Sequence, residues 1–283
     1  MQYGLKKNSM SYFTVTKINE HIYQFNDKMS VLSTLVIGDN KALLFDTTYG
    51  IGDLKQAVLE ITDKPLIVVN SHGHMDHACG NYQFDEILID KEDEELLIYH
   101  TGLEYRKKNL RNAIARGVLP DDFDEEKYLN QRTGNYKFLE EHQIFDLGNL
   151  HLEVIKIPGH TIGSIALYVK ELRIMLVSDG ACPYVWMFLK ESAPLKDYLN
   201  SINKLLEYDF EAFLLGHGAG LMNRSFMYRL KAITEEVLSG KVNDKFEPYI
   251  APGFEIEGTV SYCEGKPYEA GKCGIIFNKY KIN

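Results

Sequence analysis

The sequence predicts an α/β fold in which two strand-rich parts flank a helical insertion. Short apolar runs separated by turn residues fill the first 46 residues and return at 151–179, which is typical of sheet strands. Apolar residues at helical spacing follow the first group of runs at 51–61. Residues 91–143 differ in composition: they are rich in Glu, Lys, Arg and Tyr, and their apolar residues recur at helical spacing. We expect them to form the insertion.

The N-terminal part predicts an antiparallel meander followed by a strand, a helix and a second strand. Gly38, Asp39 and Asn40 separate two apolar runs in the manner of a hairpin turn. The helix is predicted at 51–61. The continuous apolar run at 65–70 is typical of a strand that is buried on both faces, and it leads directly into a loop rich in histidine.

After the insertion the chain returns to strands and then alternates helices with strands. Gly240 is placed to end the last helix, because glycine readily adopts the left-handed conformation that closes many helices. A strand pair at about 253–281 completes the pattern. Neither a linker nor an internal repeat divides the chain, so we expect a single domain over 1–283. The predicted elements are strands at 151–157, 164–169, 173–179 and 212–216 and helices at 195–208 and about 223–239.

Composition restricts the class of protein. The chain has 283 residues, 45% of them hydrophobic, which is enough for a large core. Lys and Arg total 31 against 40 Asp and Glu, a formal charge of -9, so nucleic acid and anionic lipid are disfavoured partners. No apolar run approaches the roughly 18 residues of a membrane span, and the N-terminus lacks the pattern of a secretion signal. We predict a cytoplasmic protein with a small-molecule substrate and leave a homo-oligomer open.

The four cysteines do not form a disulfide framework. No CxxC pair occurs, and a core of this size needs no covalent support. We therefore expect free thiols at Cys79, Cys182, Cys263 and Cys273.

Three histidines and an aspartate follow a predicted buried strand in the pattern H-x-H-x-D-H. Residues two apart in extended backbone point to the same side, so His72 and His74 can bind one ion. A turn after this pair would direct Asp76 and His77 to a neighbouring position. The loop can therefore contribute to two metal sites.

Further metal-binding residues follow later strands. A tetrahedral site needs more ligands than the histidine-rich loop supplies to either ion. His160, Asp179 and His217 each stand at the carboxyl end of a predicted strand, where open α/β sheets place their sites. We expect these residues to complete a centre with the loop. The remaining four histidines are expected to be ordinary core or surface residues: His21, His100, His142 and His151.

These motifs, taken in order, resemble those of the metallo-β-lactamase superfamily. The resemblance covers roughly residues 20–220 and implies a four-layer αβ/βα sandwich. Asp46, at the end of an early strand, resembles the buried acid that braces the metal loop in this family. By position, the resemblance implies His72, His74 and His160 as ligands of a first metal, Asp76, His77 and His217 as ligands of a second, and Asp179 as the bridge.

The resemblance implies hydrolysis at a binuclear metal centre. Two divalent ions, with zinc as the first expectation and iron or manganese as alternatives, lower the pKa of bound water towards about 7 and supply a bridging hydroxide. After subtraction of the charges of Asp76, Asp179 and the hydroxide, about +1 remains to stabilise an oxyanion. We expect cleavage of an ester, thioester or lactone, with Asp76 or Asp179 handling the proton.

The residue at position 179 indicates which branch of the family the chain resembles. True β-lactamases carry Cys or Ser there, so β-lactam cleavage is not expected, and the pairing of His77 with Asp179 resembles glyoxalase II-like hydrolases and lactonases. Lactonases use a tyrosine shortly after the bridging aspartate to hydrogen-bond the substrate carbonyl. Tyr184, in an aromatic loop at 182–190, is the nearest tyrosine and is assigned this role.

Two other activities of the family use similar ligands and stay as alternatives. A phosphodiesterase would use the five basic residues within 105–116, although the acidic run DDFDEE follows closely and neutralises them. An iron-dependent persulfide dioxygenase would hold a single iron in the same type of site. Metal analysis combined with a screen of hydrolase substrates separates the three activities.

Overall fold

The computed structural model describes residues 12–218, 220–240, 247–248, 259–261 and 273–282. Two large sheets face each other, helices cover their outer faces, and a smaller third sheet lies beside them. This arrangement confirms the predicted four-layer α/β sandwich. In the part of the chain that is described, no helix is long and apolar enough to cross a membrane.

The first sheet has seven strands. They are β1 (Phe13–Lys17), β2 (Ile22–Asp27), β3 (Leu32–Ile37), β4 (Ala42–Phe45), β5 (Leu66–Val69), β6 (Ile87–Ile89) and β7 (Tyr136–Phe138). β1 to β4 form the predicted antiparallel meander. β5, β6 and β7 then add in parallel, which requires a crossover before each of them.

Helices fill these crossovers. They are α1 (Leu54–Leu59), α2 (Met75–Ala78), α3 (Glu94–His100), α4 (Leu103–Arg116) and α5 (Glu125–Leu129). The Asp53 side chain accepts a hydrogen bond from the backbone N–H of Gln56 and so caps α1. The predicted insertion contains α3, α4 and α5, and its last part forms β7 at the edge of the first sheet.

The second sheet has six strands: β8 (Ile144–Asp146), β9 (His151–Lys156), β10 (Ile165–Val169), β11 (Ile174–Ser178), β13 (Ala212–Leu215) and β14 (Leu221–Asn223). Their order across the sheet is β14, β13, β11, β10, β9, β8. β11 and β13 are parallel. The intervening crossover is α6 (Leu195–Glu207), and α7 (Ser225–Leu238) follows β14 and ends before Gly240, whose φ is +78°.

A third sheet corrects one expectation. Its strands are β12 (Tyr184–Met187), β15 (Glu247–Pro248), β16 (Thr259–Ser261) and β17 (Gly274–Asn278). The segment expected to be an aromatic loop forms β12, because it pairs in parallel with β17 from far along the chain. β16 and β17 are antiparallel, and much of the rest of the predicted pair at 253–281 lies outside the described residues.

Three apolar clusters separate the layers. Leu43 and Phe45 of β4 belong to the cluster between the two large sheets, whereas Leu44 points to the helices outside the first sheet. This alternation follows from the period of two in a strand and places apolar side chains on both faces. On the outer face of the second sheet, Ile202 of α6 and Leu230 of α7 are buried in the third cluster.

The cysteines are free thiols wherever the structure describes them. Cys79 and Cys273 are buried and Cys182 is half-buried, and none of the three forms a disulfide. The prediction is confirmed for these residues, and Cys263 lies outside the described residues.

Asp93, just before α3, ties the insertion to two loops of the sandwich. Its Oδ2 accepts hydrogen bonds from the Gly73 N–H at 2.8 Å and from the Thr161 hydroxyl at 2.7 Å. Its Oδ1 accepts from the Gly163 N–H at 2.8 Å. Asp93 is buried, so these bonds lie where water does not compete for them. One carboxylate therefore holds the start of α3 against the loop after β5 and the loop after β9.

We expect Asp93→Ala to destabilise the protein strongly. The substitution leaves three buried donors without their acceptor, and hydrogen bonds to a charged group contribute about 1.5–3 kcal/mol each. Urea unfolding should show a loss of at least about 3 kcal/mol. Asp85→Ala, which removes an exposed carboxylate beside Lys55, is the control and should change little. Equal stability of the two variants would contradict the anchoring role of Asp93.

Candidate metal centre

The loop between β5 and α2 carries the first histidines. His74 has extended backbone, with φ −70° and ψ 151°, immediately before α2. The helical turn of α2 then redirects the chain at Asp76 and His77, as the spacing of the motif predicts. Gly73 allows the loop to pass close to α3, because a Cβ on it would lie 2.7 Å from the backbone nitrogen of Leu97.

Three histidines from two loops form a first group of donor atoms. His72, His74 and His160 each offer a ring nitrogen, and these atoms lie within 4.8 Å of one another. The Nε2 atom of His160 is 2.9 Å from Nδ1 of His74. Nε2 of His72 is buried and has no hydrogen-bond partner among the described residues. Imidazole nitrogens that face one another in this way could hold a divalent ion.

A second group of donors lies beside the first. Asp76, His77 and His217 offer donor atoms that also lie within 4.8 Å of one another. Nε2 of His217 is 3.2 Å from Nε2 of His77 and 3.2 Å from Oδ2 of Asp76. The His217 loop is fixed to the first sheet, because the Leu32 N–H donates to the carbonyl of Gly216 at 2.8 Å.

Asp179 lies between the two groups. Its Oδ2 is 3.4 Å from Nε2 of His217 and 3.8 Å from Nε2 of His160. Its Oδ1 is 3.6 Å from Nε2 of His77 and, within the described chain, has no hydrogen-bond partner. Ser178, directly before it, has a positive φ of 46°, a conformation that costs energy in a non-glycine residue. The structure thus brings together all of the residues that the sequence predicts as metal ligands.

Every imidazole of the cluster has a hydrogen-bond acceptor at its outward nitrogen. Such an acceptor holds the proton on the outward nitrogen and leaves the inward nitrogen free to donate its lone pair to a metal. The contacts are His72 Nδ1 to Ser71 Oγ at 2.8 Å, His74 Nε2 to Glu191 Oε1 at 2.8 Å, His77 Nδ1 to Asp46 Oδ2 at 3.0 Å, His160 Nδ1 to the Trp186 carbonyl at 2.8 Å and His217 Nδ1 to the Ser30 carbonyl at 3.2 Å.

Asp46 braces the cluster from behind, as expected. It is buried, and its carboxylate accepts from the Ser71 N–H at 2.7 Å, the Ser71 hydroxyl at 2.9 Å and the Ser178 hydroxyl at 2.7 Å. The same carboxylate accepts from Nδ1 of His77. Because Ser71 in turn accepts from His72, Asp46 orients one histidine of each group.

Burial opposes charge on these groups, and the balance between burial and the neighbouring charges sets the direction of each pKa shift. Burial alone would lower the pKa of His77, but the carboxylates of Asp76 and Asp179 raise it to about 10. Burial would raise the pKa of Asp179, yet His217 and His77 hold it well below its ordinary value. Burial lowers the pKa of His160 to about 4. The cluster therefore combines ionised carboxylates with imidazoles of contrasting charge.

Two neighbours of His74 were not predicted from the sequence. Glu191 accepts from its Nε2, and although burial would raise the pKa of Glu191, this hydrogen bond lowers it to about 2. His100, at the end of α3, stacks on His74 with ring centroids 5.0 Å apart and an interplanar angle of 23°. Tyr105 stacks on His100 at 4.1 Å. His100 is buried and belongs to neither group of donors, as expected of a core histidine, and the insertion reaches the cluster through it.

Tyr184 lies on β12 and belongs to a buried apolar cluster that also contains Phe188 and Ile276. The strand runs beside the first group of donors, since the carbonyl of Trp186 accepts from Nδ1 of His160. The hydrogen bond that we expect from the Tyr184 hydroxyl to a substrate carbonyl stays a prediction.

Comparisons of the sequence and of the structure with known proteins point to the same family. The sequence model described as the Metallo-beta-lactamase superfamily matches residues 26–217. Acyl-coenzyme A thioesterase MBLAC2 of Homo sapiens is 24% identical over 202 residues, covering 67% of this chain and 71% of the relative. The sec-alkylsulfatase Pisa1 from Pseudomonas sp. has a TM-score of 0.62 at 15% identity, over 81% of this chain and 42% of its own. For DIM-1 metallo-beta-lactamase the TM-score is 0.57 at 15% identity, over 80% and 97%. These two solved structures share the fold.

We expect the stability of the metal-free protein to fall as the pH rises above neutrality. A histidine with a pKa of about 10 in the folded chain, against 6.5 as its ordinary value, stabilises the fold fully below pH 6.5 and loses this contribution as the pH rises through 10. Urea unfolding in excess chelator between these limits measures the slope. His77→Gln should make the slope shallower, whereas the exposed His142→Gln should keep it. An unchanged slope in His77→Gln would show that the charge balance described above is wrong.

Proposed function

This chain belongs to the metallo-β-lactamase superfamily, and we propose that it is a binuclear metal-dependent hydrolase that cleaves a thioester, ester or lactone of a small molecule. The observation that carries the proposal is the convergence of two groups of histidine and aspartate donors with Asp179 between them. Each imidazole in them has an acceptor behind it, so its inward nitrogen is free to bind a metal.

The donors fit two divalent ions, and we assign them accordingly. Nε2 of His72 and Oδ1 of Asp179 are buried without a hydrogen-bond partner in the described chain, which is costly unless another group satisfies them. Imidazole and carboxylate donors accept zinc, iron or manganese, with zinc as our first choice. The proposed ligands are His72, His74 and His160 for one ion, Asp76, His77 and His217 for the other, and Asp179 for both.

The protein groups around these ions have defined tasks in hydrolysis. When bound, the ions supply polarisation of the substrate carbonyl and a water activated for attack. We propose that Asp179 or Asp76 accepts the proton of that water, because both carboxylates lie beside Nε2 of His217 in the cluster and stay ionised. For a thioester, the new bond joins the water oxygen to the carbonyl carbon, the carbon–sulfur bond breaks, and the thiol leaves with the proton.

A thioester with an apolar acyl part is the substrate class that we favour. The relative MBLAC2 is named an acyl-coenzyme A thioesterase, which supports this class. Ile162, two residues after His160, is 50% exposed, and Tyr99, whose ring lies 5.7 Å from that of His100, is 67% exposed. Exposed apolar side chains beside a polar centre suit a ligand with an apolar portion.

Metal analysis and a substrate screen test the proposal. The purified protein should hold two divalent ions per chain and should hydrolyse acyl thioesters faster than lactones, aryl phosphodiesters or a chromogenic β-lactam. Chelation should abolish turnover, and added zinc should restore it. A protein with a single iron and no hydrolysis, or one that cleaves only phosphodiesters, would favour the alternative activities and refute this function.

We expect Asp179→Ala to lose one of the two ions and most of its turnover. Asp179 is the residue nearest to both donor groups, so its removal should weaken the second ion most and lower kcat by at least about 100-fold. Metal content and thioester turnover are measured together. Asp209→Ala removes an exposed aspartate paired with Arg173 and should match wild type in both measurements. Full metal content and turnover in Asp179→Ala would refute its bridging role.

A separate prediction concerns Tyr184. If its hydroxyl hydrogen-bonds the substrate carbonyl as the charge on oxygen develops, Tyr184→Phe should lower kcat by about 100-fold while metal content stays at two per chain. Tyr168→Phe removes a hydroxyl that donates to the Asp209 carbonyl on the outside of the sandwich, and should keep wild-type kcat. Wild-type kcat in Tyr184→Phe would reject the assignment.

A further inference from the structure

Glu191 stands directly behind the first group of donors, on the loop that follows β12. Its Oε1 is 2.8 Å from Nε2 of His74, and the side chains are 25% and 9% exposed, respectively. The other nitrogen of the same ring, Nδ1, is the one that faces His160 at 2.9 Å. The His74 imidazole therefore donates its Nε2–H to a carboxylate and turns Nδ1 towards the centre.

We propose that Glu191 is a positioning residue for the first metal, and this proposal rests on the metal-binding function above. A carboxylate behind an imidazole fixes the ring and its tautomer and strengthens the opposite nitrogen as a ligand. In the first group, His72 and His160 have only neutral acceptors, Ser71 Oγ and the Trp186 carbonyl. Glu191 is thus the source of negative charge at the outward nitrogens of this group.

The same device serves the second group through a different residue. Asp46 accepts from Nδ1 of His77 at 3.0 Å, so each group of donors contains one histidine backed directly by a carboxylate. Asp46 comes from the first sheet, whereas Glu191 comes from a loop beside the third sheet. The two carboxylates can therefore be changed separately: Glu191 should affect the ion of the first group, whereas Asp46 backs His77 in the second group and also reaches His72 through Ser71.

The loop that carries Glu191 is held on both sides. The backbone carbonyl of Glu191 accepts from the Ile162 N–H at 3.1 Å, and the Ser192 hydroxyl donates to the carbonyl of His160 at 2.8 Å. On the other side, the ammonium of Lys281 donates to the carbonyls of Leu189, Lys190 and Ser192. These contacts couple the loop to the His160 loop and to the end of the chain.

The insertion fixes the remaining direction of the His74 ring. His100 stacks on its face, and Tyr105 stacks on His100 in turn. A ring with a carboxylate at its edge and an aromatic ring on its face has little freedom to rotate. Its Nδ1 is consequently presented in one direction, which is the requirement for a metal ligand.

The test compares Glu191→Gln with wild type by zinc competition against a chromogenic chelator. Glutamine keeps the size of the side chain and an acceptor oxygen but removes the charge. We expect the affinity for the ion of the first group to fall by about 10- to 100-fold, and the affinity for the ion of the second group to stay unchanged. The visible spectrum of the cobalt-loaded protein should shift, which a merely structural role would not produce. Asp46→Asn should weaken the binding of both ions, because Asp46 accepts directly from His77 and orients His72 through Ser71, so a loss confined to one ion distinguishes Glu191.

Two further variants complete the design. Glu171→Gln removes the charge from a glutamate 2.7 Å from Nδ1 of His151, an exposed pair at the start of β9, and should keep both affinities. Lys281→Met should weaken the same ion as Glu191→Gln, by a smaller factor. If wild type binds two ions and Glu191→Gln binds both with wild-type affinity, the proposal for Glu191 is wrong. If wild type itself binds no ions, the proposed function fails instead.

Discussion

The strictest constraint in this protein is that four buried imidazole rings and the half-buried ring of His217 must each direct one nitrogen to a common centre. A buried ring with an unsatisfied outward N–H would be costly, so every outward nitrogen needs an acceptor at a fixed place. Asp46 shows how the fold supplies one. It follows β4 and accepts hydrogen bonds from Ser71 after β5 and from Ser178 at the end of β11. The two large sheets must therefore meet at the carboxyl ends of these strands.

The insertion extends this constraint to the other side of the cluster. Asp93, at the start of α3, accepts from the backbone of Gly73, which lies between two of the histidines, and from Thr161 and Gly163 after His160. The last residue of α3, His100, then lies against His74. A helix placed between these two contacts is fixed at both of its ends. The insertion is consequently part of the wall of the centre and is not a peripheral addition.

The sequence predicted the parts of the centre whose signals are local. The H-x-H-x-D-H motif and the donors at strand ends need only a few neighbouring residues to be recognised, and the meander and the large helices follow from periodicity. Glu191 carries no such signal, because its partner His74 lies 117 residues away. β12 was missed for the same reason, since it pairs with a strand that begins at Gly274. His100 is a lone histidine on a helix, which only its packing distinguishes. The single-domain organisation stays a prediction.

The hydrogen-bond acceptors behind the two donor groups come from different parts of the chain. The second group takes its acceptors, Asp46 and the carbonyl of Ser30, from loops at the edge of the first sheet. The first group takes Glu191 from a loop that Lys281 holds, and Lys281 lies outside the matched residues 26–217. β17, also outside the match, pairs with β12, which carries the acceptor for His160. Changes in the C-terminal segment among relatives should therefore act on the first group and leave the second unchanged, so one fold can vary the two donor groups separately.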